Sequence, residues 1–135
     1  MCRSAGSPFV LSMEDHMKYT LMIYDDEKGR GKLSEGQQHQ MMGEYQQLTQ
    51  QLKDAGQYIA GQQLHPTSAA TSVRVRDGKR VVTDGPFAET REQLGGYYLI
   101  NAKNLDEAIE IAGRIPSARQ GTIEVRPVVE APAAT

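Results

Sequence analysis

Thr83–Ile100 reads TDGPFAETREQLGGYYLI, and its parts decide how the chain turns, pauses and re-enters a sheet. Asp84 is placed to accept from backbone amides, Gly85 takes dihedrals that other residues avoid, and Pro86 fixes its own φ. Pro86 also lacks an N–H, so no central strand continues through it. Phe87 follows directly, and a large ring beside a turn is expected to find a buried place. Glu89–Gln93 is a polar run. Gly95 and Gly96 then leave room for another backbone, or a ligand, at the start of a strand that carries Tyr97 and Tyr98. Two readings stand side by side here. One is an architectural corner with solvated charges; the other is a pocket rim, with carboxylates at Asp84 and Glu89 and an anion clamp at Arg91.

Working outward, Gly96–Ala102 is a strand with apolar residues on both faces, Tyr97 and Leu99 on one and Tyr98 and Ile100 on the other. Asn104 and Glu107 cap a helix expected to bury Leu105, Ala108, Ile109, Ala112 and Ile115, and Pro116 stops it. Thr122–Val129 closes the chain as a strand. Upstream, Asp77-Gly78 between two β-rich runs, Val73–Arg76 and Arg80–Thr83, marks a hairpin. Tyr58–Leu64 is a strand, and Lys18–Tyr24 another, with Tyr19, Leu21 and Ile23 opposite Met22 and Tyr24. Between them, Asp25–Leu33 reads as a charged, glycine-bearing loop. A capping box, Ser34 with Gln37, then opens a helix whose stripe is Met41, Tyr45, Leu48, Leu52 and Ala55. Gly56 ends it. Its glutamine-rich face is a neutral, solvated one.

The order is therefore β-α-β, a hairpin, and β-α-β. Two helices cover one face of such a sheet, yet two of its strands are apolar on both. A second copy of the sheet is the simplest cover, which predicts a homodimer with a shared interior.

The motif TDGPFAETREQLGGYYLI, followed by NLDEAIEIAGRIP and GTIEVRPV, resembles the DGPF-domain branch of the YCII-related family, with likeness from about Met17 to Val129. The resemblance implies a bacterial α+β domain, ferredoxin-like with an inserted β-hairpin, pairing as a dimeric α/β barrel. The family has no settled activity. Some members are encoded beside, or fused to, extracytoplasmic-function sigma factors, which implies an accessory or regulatory role. Others carry a His-Asp pair in a cleft. Here Glu44 and Ile115 occupy the corresponding places, so that chemistry does not carry over and the DGPF corner is the better site candidate.

The expected function is a small dimeric ligand-binding or regulatory module whose site gathers Asp84, Pro86, Phe87, Glu89, Arg91, Tyr97 and His65. His65, ending a strand before Pro66, is a candidate acid or base against the plainer reading of a solvated loop histidine. The alternative is an enzyme acting on a small organic molecule, with Asp84 as general base and Arg91 orienting an anion. The three histidines, 16, 39 and 65, match no metal spacing. His39 falls on the exposed side of its helix. Gly29–Lys32 lacks phosphate-loop spacing and no nucleophile elbow is present, so no cofactor is expected. Arg74, Arg76, Lys79 and Arg80 make the hairpin basic, read as a solvated edge. Glu124 and Arg126 share a strand face and are candidates to pair with the charged DGPF run.

At 135 residues the chain fits one domain. A net charge of −2 gives no basis for a nucleic-acid surface. The lone cysteine, Cys2, has no internal disulfide partner, which points to a reducing compartment. No apolar run reaches membrane-span length, so a cytoplasmic protein is expected. Residues 1–16 read as a poorly ordered extension, 17–129 as the domain and 130–135 as a flexible tail.

Overall fold

The computed structural model describes residues 17–130; the expected extension 1–16, with Cys2 and His16, and residues 131–135 of the tail lie outside the described residues. The chain forms β1 (Met17–Asp25), a short helix α1 (Glu27–Arg30), the long helix α2 (Glu35–Asp54) and β2 (Tyr58–Gln63). A hairpin of β3 (Thr71–Arg76) and β4 (Lys79–Asp84) follows, then β5 (Gln93–Ala102), α3 (Leu105–Gly113) and β6 (Thr122–Pro127). Four strands make one sheet in the order β2-β5-β1-β6, and the hairpin is a separate pair. Every pairing in both is antiparallel. Each helical crossover thus skips one strand, an interleaving compatible with a ferredoxin-like α+β fold.

Strand alternation explains where the core sits. Tyr19, Leu21 and Ile23 of β1, with Tyr98, Ile100 and Ala102 of β5, point to the helix side. There they meet Leu48 and Leu52 of α2 and Ala108, Ile111, Ala112 and Ile115 beyond and within α3, with Ile123 and Val125 of β6 packed alongside. Leu21, Leu52 and Ile100 are fully buried. Each such side chain contributes roughly 1.5–3 kcal/mol of hydrophobic stabilisation. Met22, Tyr24, Tyr97 and Leu99 alternate to the opposite face, where they remain partly exposed. Among the described residues, the helices pack on the other side of the sheet.

Local chemistry fixes the ends. Ser34 Oγ accepts from Gln37 N at 3.1 Å while Gln37 Oε1 accepts from Ser34 N at 2.9 Å, the expected capping box. Asn104 Oδ1 accepts from Glu107 N at 3.0 Å and starts α3. Asp77 and Gly78, both with positive φ (53° and 74°), turn the hairpin in the mirror-image geometry that suits strand twist.

Three expectations need correction. Phe87 is not buried: it is 78% exposed, because the corner projects beyond the sheet with the hairpin and meets no core there. Leu105 and Ile109 are exposed rather than inward, since α3 buries a narrower stripe, Ala108, Ile111 and Ala112. Glu124 pairs with Arg126 on its own strand at 2.6 Å, not with the DGPF run. The hairpin valines, Val73, Val75, Val81 and Val82, are also exposed.

Candidate functional site

The N-terminal half of α2 does not press onto the sheet. Leu48 and Leu52 are buried, but one and two turns earlier Tyr45 and Met41 are only partly covered. The gap this leaves is a cavity of about 510 Å³ between α2, the α1 segment and strands β2 and β5. That volume is typical of small-molecule sites.

Three tyrosines form its apolar wall. The Tyr45 and Tyr98 rings stack at 6.5 Å between centroids, inclined by 21°, and Tyr58 meets Tyr98 edge-on at 6.2 Å. The hydroxyls of Tyr45 and Tyr98 each have a partner outside the trio. Tyr45 and Ser117 share a hydrogen bond of 2.7 Å, as do Tyr98 and Thr49. Burial pushes the Tyr45 and Tyr98 phenols above the ordinary value of 10.0, with the Ser117 and Thr49 bonds working against it. Both are therefore neutral hydroxyls at physiological pH.

The polar end of the cavity is built by α1, a helix within the Asp25–Leu33 run whose charges and glycines predict a loop. Asp25 continues the inward phase of Tyr19, Leu21 and Ile23, so a carboxylate arrives on the core face and is 3% exposed. Arg30 answers it five residues on, with Nη2 donating to Asp25 Oδ1 at 2.9 Å. Gly95 makes the space. It lies where the β1–β5 register shifts, and a Cβ built there would stand 2.6 Å from Arg30 Nη2. The neighbouring Gly96 instead accommodates backbone, its virtual Cβ lying 2.8 Å from Gln62 O. Glu27 braces the rim, accepting from Thr67 N at 2.9 Å and from Thr67 Oγ1 at 2.8 Å.

The sequence candidates fall in two places. Tyr97 borders the cavity, although alternation turns its side chain to the face opposite Tyr98. His65 is exposed, between two cavity-lining neighbours, Leu64 and Pro66, without lining it itself. Asp84, Pro86, Phe87, Glu89 and Arg91 are exposed and border no part of the cavity. Their corner is held through Gly85, whose N–H donates to Ala70 O at 2.7 Å and whose carbonyl accepts from Ser72 Oγ at 2.7 Å. Glu44 accepts from Arg119 at 2.7 Å. Among the described residues no three His, Cys, Asp or Glu side chains cluster as a metal site. No described helix is long and apolar enough to cross a membrane.

An antiparallel α+β domain with a half-open cavity under its first long helix is the class that geometry defines. The family model of the YCII-related domain matches residues 17–132, and the chain belongs to that family. It is similar to an uncharacterized protein of Rhizobium meliloti (strain 1021), 37% identical over 114 residues, which are 83% of this chain and 92% of that protein.

Proposed function

We propose that the protein is a homodimeric small-ligand-binding module whose site is the cavity between α2 and the β2–β5 edge of the sheet. The observation that carries this reading is the cavity itself: about 510 Å³, aromatic on one wall, with an oriented arginine–aspartate pair at one end. Satisfied hydroxyls and a braced rim favour a site formed before the ligand arrives, which lowers the ordering cost of binding. The homodimer follows from the uncovered Met22, Tyr24, Tyr97 and Leu99 face, on which a second sheet closes as a dimeric α/β barrel. In this reading the Asp84–Arg91 corner and the hairpin serve the assembly, with Phe87 and the exposed valines covered by the partner copy. A regulatory role beside a sigma factor is one physiological setting for such a module.

Ligand-observed NMR with a library of neutral aromatic and alkyl fragments tests the site. Hits are expected against the native chain and are expected to vanish in Met41→Trp, whose ring occupies the cavity. Hits that survive the substitution unchanged would place binding elsewhere and refute the reading.

A further inference from the structure

Among the lining residues described, Arg30 is the one cation, and its setting defines what the cavity selects. The guanidinium is held by Asp25 through Nη2 and rests over Gly95, so its orientation is fixed before any ligand binds. Its side chain is 32% exposed, and its other N–H groups meet no partner among the described residues. Asp25 beneath it is 4% exposed and serves as the anchor rather than as a contact for ligand.

We propose that the ligand is a small amphipathic monocarboxylic acid, its carboxylate on Arg30 and its aromatic or branched apolar body between Met41, Tyr45 and Tyr98. This rests on the cavity being the binding site. A planar guanidinium presents paired N–H donors that match a carboxylate, and a bond to an ionised acceptor is stronger than one to a neutral carbonyl. A phosphate or dicarboxylate fits less well than a monocarboxylate, because its second negative charge would face Asp25 and Glu27 with no second arginine among the lining residues described to meet it. The carboxylate oxygens of Glu27 are both engaged by Thr67, so Glu27 closes the wall instead of receiving a cationic ligand. Beside Gln38, Gln62 and Gln63, the wall presents the aromatic faces of Tyr45, Tyr58 and Tyr98 and the thioethers of Met41 and Met42, and the Tyr45 and Tyr98 hydroxyls are already bonded to Ser117 and Thr49. An apolar body is the complement of that surface.

The test is an NMR titration of the full chain at pH 7 and low salt with 3-phenylpropanoate and 4-methylpentanoate, each beside its primary amide of the same shape. At least one acid is expected to bind tenfold or more tightly than its amide. Arg30→Gln alone leaves Asp25 buried without a counter-charge, so the comparison uses Asp25→Asn with Arg30→Gln, which removes both charges together. In that double variant the acid is expected to lose its advantage while the amide still binds. Gly95→Ala, which displaces the guanidinium without deleting it, is expected to narrow the gap severalfold. Amides that bind the native chain as well as their acids would overturn the carboxylate assignment and leave the cavity reading intact. Binding of neutral library fragments but of neither acid would overturn it in the same way. Silence from acids, amides and neutral fragments alike would overturn both.

Discussion

Replacing Gly95 by alanine sets two effects against each other, and the structure says which wins. Adding a methyl group to a glycine in an unstrained extended strand stabilises a protein by about 0.4–1 kcal/mol, through the entropy of the unfolded chain. Gly95 has no positive φ that would penalise the change. Its Cβ, however, would lie 2.6 Å from Arg30 Nη2, well inside van der Waals contact. The nearest atom is the tip of a flexible side chain, so the guanidinium swings aside and the backbone stays. That movement stretches the 2.9 Å bond to Asp25, which is 3% exposed and has Arg30 as its one ion-pair partner among the described residues. A charge-assisted hydrogen bond contributes about 1.5–3 kcal/mol, so the net expectation is a loss of about 1–2 kcal/mol, read as a lower urea midpoint at unchanged slope. Gly43→Ala is the control. It lies within α2 with nothing inside 4 Å of its virtual Cβ, and is expected to gain up to about 1 kcal/mol. Equal stabilisation by both alanines would show that Arg30 is not held against Gly95 and would remove the basis for a fixed cation in the cavity.

Other outcomes are equally definite. Light scattering is expected to give twice the 14.9 kDa chain mass for the native protein and a single chain for Leu99→Asp, which puts a charge on the uncovered sheet face; a native monomer at high concentration contradicts the homodimer. Tyr45 and Tyr98 bind their protons more tightly folded than unfolded, so their contribution is complete below pH 10.0 and is lost as pH rises above it. Urea midpoints should therefore fall on the alkaline side, and Tyr98→Phe should flatten that fall; an unchanged slope would show the phenol is not desolvated. Asp84→Asn is expected to alter stability by less than about 0.5 kcal/mol, since Asp84 is exposed and Gly85, not its carboxylate, ties the corner. A large loss on calorimetry would return the corner to an architectural role that depends on its carboxylate.

Much of the fold was legible because local rules and burial agree. The alternation of Tyr19, Leu21 and Ile23 against Met22 and Tyr24 matches the observed faces, and the Ser34–Gln37 box and the Asp77-Gly78 turn form as their residue types require. The cavity was not legible, because its parts are distant in sequence and each looks ordinary alone. Asp25 is the fourth member of an inward alternation, but a carboxylate in that phase reads as the start of a loop until its partner is known. Arg30 lies on a helix of four residues inside a charged, glycine-bearing run, too short for periodicity to show. Gly95 signals room in the sequence; that the occupant is Arg30 depends on a bulge in strand pairing that no local pattern reports. Phe87 and Ile109 mark the opposite failure, where hydrophobicity read as burial and a single chain leaves both in water.

The most direct measurement is a crystal structure of the protein with a fragment or acid selected by the NMR experiments. Expected is density for the ligand beside the stacked rings of Tyr45 and Tyr98, with any carboxylate within hydrogen-bond distance of Arg30. Ligand seated at the Asp84–Arg91 corner, over an empty space beneath α2, would contradict it.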